Sequence, residues 1–289
     1  MSAGAPKRRI ILGRMAYYAV VLATVVLAGC ASQPGPAPPR QHEKLNAVLW
    51  SQTAVEHDAV VRQSFQLARI QVEKALADKT WTAAVEQEGD FARLPPAVIL
   101  DADETVLDNS ISEGRAISRN LNFDEKLWRE WINEARATAL PGAAGFIRYL
   151  HEKKIAVFFV TNRLAEEEAA TRRNLQAVGF PVEESFDNVL CNGEKPEWTS
   201  DKTTRRRAVA ASHRILLLLG DDFNDFVSGV RTGLEERRKV DAQHSERWGT
   251  RWIMLPNPMY GSWEAAAYGA KRGLSEAERL AAKHAALKK

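Results

Sequence analysis

The chain reads as an α/β protein: a Rossmann-like core in which a parallel sheet is flanked by helices, plus a small, mainly helical cap. Three observations carry this reading. The runs Ala97–Leu100, Ile155–Val160 and Ile215–Leu219 are short and continuously apolar, the pattern of parallel strands covered on both faces. Segments with helical character separate them, and strand–helix alternation argues for parallel strands with covering helices. Each apolar run also ends abruptly in polar residues: Asp101 and Asp103 after the first, Thr161-Asn162-Arg163 after the second, Gly220-Asp221-Asp222 after the third. The carboxyl ends of parallel strands are where such folds place their chemistry.

In chain order, Lys7, Arg8, Arg9 and Arg14 precede the apolar stretch Met15–Leu27. This is short for a membrane span and fits the apolar centre of a signal peptide, expected over residues 1–29. Leu27-Ala28-Gly29-Cys30 resembles the lipobox of bacterial lipoproteins, in which cleavage precedes a cysteine that then carries lipid. Residues 30–43 are therefore expected to be a lipidated Cys30 and a proline-rich tether, SQPGPAPPR, with the acyl chains anchoring by burial of methylenes. Ala31, not an acidic residue, follows the cysteine, which in the sorting rule this resembles permits export to the bacterial outer membrane or cell surface. An uncleaved anchor over Met15–Leu27 is the alternative, and it too implies membrane attachment.

The 289-residue chain is 45% apolar and 27% charged, ordinary for a globular protein. Its net charge of +3 includes +4 from the four basic residues before position 30, leaving about −1 for the remainder. The basic balance thus belongs to the signal, and no nucleic-acid partner is expected. Cys191 is the one cysteine besides Cys30; no His lies near it in sequence, so it reads as a small packed residue. The six histidines show no metal-ligand spacing.

Residues 44–94 form an N-terminal helical region, with Val61, Phe65, Ala68, Val72 and Leu76 making one apolar helix face between Leu45 and Ala77. The core is expected over 95–265, opening at Pro95-Pro96. Within it, residues 111–140 make a cap whose helix carries Leu127, Trp128, Trp131 and Ile132 and starts at Asn122 or Asp124. Helices follow from Pro141-Gly142 to about Glu152, over Leu164–Val178 and over Lys202–Ser212, and a last strand over Trp252–Leu255. Glu166, Glu167 and Glu168 suit the first turn of a helix, where acids offset the dipole. Residues 266–289 end the chain as a charged, alanine-rich helix.

If the strand ends converge, the residue types define a chemistry. Hard Mg²⁺ prefers oxygen ligands and takes one or two protein carboxylates beside substrate oxygens, and Asp101 and Asp221 are the natural pair. Aspartate also forms covalent aspartyl-phosphate, so Asp101 is the candidate nucleophile. Asp103, one residue on, projects to the other side of an extended backbone as candidate acid and base. Thr161 and Lys202 are placed to hold phosphoryl oxygens.

The set D-x-D-E-T, a strand ending in T-N-R, a lysine in K-x-x-R, and G-D-D-x-x-D-F resembles motifs one to four of the haloacid dehalogenase (HAD) superfamily. More closely, the chain is similar to bacterial class C acid phosphatases, the outer-membrane lipoprotein 5′-nucleotidase family. W-x-x-W at Trp128–Trp131, Ala139 to Gly142, and IMLPNPMYGSWE at Ile253–Glu264 extend the resemblance over about Ala47–Gly269.

The resemblance implies that Asp101 is nucleophile and Mg²⁺ ligand, Asp103 acid/base and ligand through its carbonyl, and Asp221 the third ligand. It makes Asp225 an outer carboxylate that orients metal-bound waters or Lys202, and has Thr161, Asn162 and Lys202 hold the phosphoryl group. Asp222 stands where Asn is common. Tyr260 is the aromatic platform for a substrate ring. One departure is Ser112, where relatives commonly carry an aromatic, with Trp128 or Trp263 as substitutes; neighbouring Glu113 either repels an anionic substrate tail or sits in solvent.

The expected function is a Mg²⁺-dependent acid phosphatase, a phosphoric monoester hydrolase acting on nucleoside 5′-monophosphates and aryl phosphates through an aspartyl-phosphate. A homodimer is implied by the resemblance. The alternatives are a broad small-molecule phosphatase without nucleotide preference, and a non-catalytic surface-binding lipoprotein.

Overall fold

A computed structural model describes residues 1–4, 41–183 and 185–288. Cys30, and nearly all of the expected signal peptide and tether around it, lie outside the described residues. Among those residues no helix is long and apolar enough to cross a membrane.

Five strands form one parallel sheet: β1 (Pro96–Leu100), β4 (Ala156–Leu164), β5 (Val189–Asn192), β6 (Arg214–Gly220) and β7 (Trp252–Met254). Their order across the sheet is β5-β4-β1-β6-β7. The chain thus lays β4 and β5 outward on one side of β1, then returns to add β6 and β7 on the other. A crevice opens outside the carboxyl ends of strands where the winding reverses in this way.

Both faces of the sheet are covered, as the continuous apolar runs require. On one side, Val98 and Leu100 pack with Val61, Phe65 and Val72 of helix α2 (Val55–Ala77) and with Phe146, Ile147 and Leu150 of helix α5 (Ala143–Glu152). On the other, Ala97 and Ile99 pack with Val209 of helix α7 (Thr203–Ala210), Phe226 and Trp252. Burying one such aliphatic side chain contributes about 1.5–3 kcal/mol.

The N-terminal helical region belongs to the same compact unit as the sheet, His42–Lys289. It comprises two helices where one is expected: α1 (Leu45–Thr53) and α2, separated by Ala54 at ψ 126°. The break lets α1 turn onto helix α3 (Ser110–Ser118), where Gln52 Nε2 donates to the Ser110 carbonyl at 2.9 Å.

The cap consists of α3, helix α4 (Glu125–Glu134) and a two-stranded antiparallel ladder, β2 (Leu107–Asp108) with β3 (Thr138–Ala139). Asp124 is the N-cap of α4, accepting the Leu127 N–H at 2.8 Å. Leu127, Trp131 and Ile132 are buried. Helix α6 (Glu168–Ala177) follows β4 through a short turn in which Glu167 accepts the Leu164 N–H at 2.8 Å.

Other helices also differ from the sequence reading, α6 starting at Glu168 where Leu164 is expected. Helix α8 (Leu234–His244) has no buried residue, so no apolar stripe announces it. After the short α9 (Ser262–Ala266), the terminal helix α10 covers only Glu276–Ala286, with Ser275 and Glu278 capping each other. Cys191 is buried and forms no disulfide among the described residues, and burial pushes its thiol above the ordinary range.

Candidate active site

Asp101 follows directly from β1, the strand at the winding reversal, and its N–H donates to the Leu219 carbonyl of β6 at 2.9 Å. The chain then folds tightly: the N–H groups of Val106 and Leu107 both donate to the Ala102 carbonyl at 3.0 and 2.9 Å. Glu104 takes a left-handed conformation, φ 52°, which costs a non-glycine residue about 1–3 kcal/mol and clusters at functional sites. Its buried carboxylate accepts the Asn109 N–H at 2.7 Å, and burial holds it well above the usual carboxylate range.

Asp101, Asp221 and Asp225 each bring a carboxylate oxygen within 4.8 Å of the other two. The Lys202 ammonium, on the turn into α7, pairs with Asp101 Oδ1 and lies 2.7 Å from Asp225 Oδ1. Asp221 is held by the Asn257 amide at 2.8 Å and the Thr105 hydroxyl at 3.2 Å.

Burial pushes the Asp101 carboxyl up from its ordinary 3.8 to about 7; Lys202 resists this, and Asp225 and Asp103 reinforce it. Burial raises Asp221 further above its ordinary range, with the charges of Asp225 and Asp101 adding to it. Asp225 is also raised by burial, against the pull of Lys202. Burial works against the Lys202 ammonium, but Asp101 and Asp225 hold it above its ordinary value.

Asp103 faces another way. Its carboxylate is chelated by Arg163, Nε at 3.0 and 3.2 Å and Nη2 at 2.7 Å, and receives Asn109 Nδ2 at 2.9 Å. The Arg163 side chain is fully buried. Asn109 in turn accepts from Trp131 Nε1 at 2.8 Å, so helix α4 of the cap is wired to Asp103 through one amide. The Thr161 hydroxyl accepts the Arg163 N–H at 3.1 Å and lies 3.5 Å from Asp103 Oδ2. Arg163 and Asn109 carry weight here that residue types alone did not reveal, although both stand inside motifs already legible.

Two buried arginines fix the remaining loops. Arg205 Nη2 donates to Asn162 Oδ1 at 2.7 Å and to the Thr199 carbonyl at 2.6 Å, and Nη1 reaches the Thr161 carbonyl. Arg206 Nη1 donates to the Asp225 carbonyl at 3.0 Å and to the Asn224 carbonyl at 3.3 Å. Glu86 accepts from Arg206 Nη2 at 2.5 Å and from Nε at 3.0 Å. Gly220 leaves the space that Asp225 occupies: a Cβ there would lie 2.7 Å from Asp225 Cγ. Gly220→Ala is expected to displace Asp225 and lower the melting temperature by the equivalent of about 1–3 kcal/mol, checked by thermal denaturation.

These groups open into a cavity of about 620 Å³ lined by Asp101, Asp103, Asn162, Lys202, Asp221 and Tyr260, among others. Thr161 is fully buried behind this surface and is not part of its lining. Trp128 lines the cavity; Trp263 does not, its Nε1 donating to the Tyr260 carbonyl at 3.0 Å. The Ser112 departure opens no side of the site, because α3 turns Ser112 toward a separate surface hollow and presents Glu113 to the cavity. Glu113 is neither solvated nor uncompensated: it is buried, and Lys44 Nζ pairs with it at 2.8 Å.

Comparisons with known proteins agree with this architecture. Two crystal structures of the class C acid phosphatase from Bacillus anthracis, one with tungstate bound, superpose with a TM-score of 0.75 at 33% and 32% identity, covering 85% of this chain and 97% of theirs. Among curated proteins, a stem 28 kDa glycoprotein and a stem 31 kDa glycoprotein of Glycine max are 25% and 26% identical over 142 and 163 residues, 48% and 56% of this chain. The chain spans about half the length of these curated relatives, 49% and 58%. Residues 33–263 match the family described as HAD superfamily, subfamily IIIB (acid phosphatase). With a parallel sheet that delivers Asp101 to the winding reversal, and with that match over most of its length, the chain belongs to the subfamily IIIB acid phosphatases of the HAD superfamily, a family of phosphoric monoester hydrolases.

Proposed function

We propose that the chain is an acid phosphatase that uses Mg²⁺ and an aspartyl-phosphate on Asp101 to hydrolyse small phosphomonoesters, nucleoside 5′-monophosphates and aryl phosphates foremost. The observation that carries this is Asp101 itself, buried at the crevice with one oxygen held by Lys202 and Asp103 separately oriented beside it. Tungstate is a tetrahedral oxyanion like phosphate, and its presence in the Bacillus anthracis relative supports the same class of ligand.

The donor set fits a divalent cation. Asp101, Asp221 and Asp225 offer three carboxylates to one ammonium within the cluster, that of Lys202, leaving two formal negative charges and an all-oxygen donor set. Asp101, Asp221 and the Asp103 carbonyl would hold Mg²⁺, with Asp225 fixing Lys202. When bound, the ion supplies charge neutralisation between the nucleophile and an anionic substrate.

The chain's own residues do the rest. Lys202 and Asn162 hold the phosphoryl oxygens, with the Thr161 hydroxyl beside Asp103. An Asp101 oxygen bonds to phosphorus as the ester P–O bond breaks, and Asp103 gives its proton to the leaving oxygen. Asp103 then takes a proton from water, whose oxygen bonds to phosphorus and releases Asp101 and phosphate. Arg163 and Asn109 keep the Asp103 carboxyl aimed throughout. A lipid anchor on Cys30 at the outer membrane and a homodimer belong to this reading, resting on the lipobox and the resemblance alone.

A pH dependence follows from the raised carboxyls. Asp101 binds its proton more tightly in the folded chain, about 7 against 3.8, so its contribution to stability is full below 3.8 and is lost as pH rises to about 7. Metal-free protein is expected to lose melting temperature across that window, and added Mg²⁺ to raise it more at pH 7 than at pH 5. A Mg²⁺-induced shift that is flat or shrinks with pH would contradict the metal assignment.

The function itself is tested on purified residues 31–289 with 5′-mononucleotides, sugar phosphates and an aryl phosphate, with Mg²⁺ or EDTA. Metal-dependent phosphate release is expected, with nucleotides and aryl phosphates leading; release led by sugar phosphates would favour the generalist. No release from any substrate by folded, metal-loaded protein would sink the enzyme reading.

A further inference from the structure

The cavity that holds the acidic cluster is also lined by a second polar group that the phosphoryl chemistry does not use. Lys44, just before α1, and Glu113, on α3, are both buried, with side chains 10% and 9% exposed, and their Nζ–Oε2 separation is 2.8 Å. Lys44 Nζ also donates to the Asn122 carbonyl at 2.8 Å and sits 5.7 Å from the centre of the Tyr260 ring. Lys44, Glu113, Asn122 and Tyr260 line the same cavity as Asp101.

Burying an ion pair rarely adds stability over an apolar pair of the same shape, so one set into a substrate cavity calls for a use there. The hydrogen bonding of Glu113 shows what remains open. Oε2 is taken by Lys44, whereas Oε1 accepts no hydrogen bond from the described residues. Nor is Oε1 among the sealed-off polar atoms without partners. Oε1 is thus the acceptor that Glu113 leaves free in the cavity it lines, with its charge already offset by Lys44, whose ammonium sits near the Tyr260 ring.

We infer that Glu113, held by Lys44, is a specificity-determining residue that accepts a hydrogen bond from a donor on the leaving group while the leaving group's ring lies against Tyr260. The inference rests on the phosphatase reading and deepens it. It selects alcohols that carry hydroxyl or amino donors, and it explains why α3 turns Glu113 inward. In a nucleotide that donor is either the ribose diol or the base edge, and both present the same chemistry to Oε1. A site built to hydrogen-bond a substrate rejects analogues that lack the donor, because its own buried group is then left unpaired.

The test compares kcat/KM for adenosine 5′-monophosphate, its 2′,3′-dideoxy analogue, the purine riboside 5′-monophosphate that lacks the 6-amino group, and phenyl phosphate, in the parent and in Glu113→Gln. In the parent, one donor-lacking arm is expected to fall by about 10-fold: the dideoxy analogue if the diol is read, the purine riboside monophosphate if the base is. In Glu113→Gln, the ratio of adenosine monophosphate to phenyl phosphate efficiency is expected to drop by about 10-fold, mainly through KM. Lys44→Gln, which removes the partner and leaves the carboxylate, should shift the same ratio in the same direction. A simple staple between α1 and the cap would change melting temperature in both variants and leave the ratio alone.

An unchanged ratio in a folded variant, or a parent indifferent to both missing donors, overturns the assignment while leaving the phosphatase intact. The parent comparison needs no variant to fold. No release from any of the four substrates would overturn the phosphatase reading and this one with it.

Discussion

Asp101→Asn is expected to abolish phosphate release, by about 10⁴-fold or more, while the protein remains folded. The amide cannot form the phosphoryl ester that the carboxylate can, and no other carboxylate stands in its place: Asp103 is turned away by Arg163, and Asp221 is engaged by Asn257 and Thr105. Stability should move the opposite way to activity. Asp101 is pushed up to about 7 by burial first and by Asp225 and Asp103 after it. A neutral amide relieves that burden, so metal-free Asp101→Asn should melt no lower than the parent at neutral pH. A melting temperature well below the parent would mean that lost activity reports unfolding. Activity within 10-fold of the parent would remove Asp101 from the nucleophile's role.

Arg163→Met should lower both stability and turnover. The Arg163 side chain is fully buried, and its Nε and Nη2 supply three of the contacts that hold Asp103. Removing it leaves a largely buried carboxylate with Asn109 as its one close partner, and breaking a buried pair from one side costs about 3–5 kcal/mol. Turnover should fall with it, since the acid and base lose their aim. The double variant Arg163→Met, Asp103→Asn separates the two effects: without the orphaned charge, stability should return by at least half, and activity should not. Equal losses of stability in the single and double variants would show that Arg163 acts through packing, and not through Asp103.

The catalytic frame was legible because its residues close apolar runs, and such closures are written locally, although β4 continues past its apolar run to Leu164 and carries Thr161, Asn162 and Arg163 within the strand. Asp101, Thr161 and Gly220 each close an apolar run, and the parallel sheet brings those closures together. Lys202 was legible as the basic residue at a helix start. What could not be read was how the groups divide among themselves. Asp103 and Asp225 are both carboxylates near a cation, yet one is paired with Arg163 and the other with Lys202, a choice made by side-chain direction across strands. Glu113 and Ser112 are adjacent, and the rotation of α3 alone decided which enters the cavity.

Helix boundaries show the same division. The apolar face between Leu45 and Ala77 begins only at Val61, so nothing local marks the turn at Ala54 that sets α1 against α3. Helix α8 buries nothing and therefore leaves no apolar period to find. By itself the sequence determined the fold class, the parallel strands and the set of acids at their ends, because burial on two faces and chain connectivity act through short segments. Only the tertiary structure decided the partners: Arg163 with Asp103, Arg206 with Glu86, Lys44 with Glu113. Such pairs join residues 60, 120 and 69 positions apart. A charge buried by the fold must find its counter-charge wherever packing has placed one, and no local pattern records where that is.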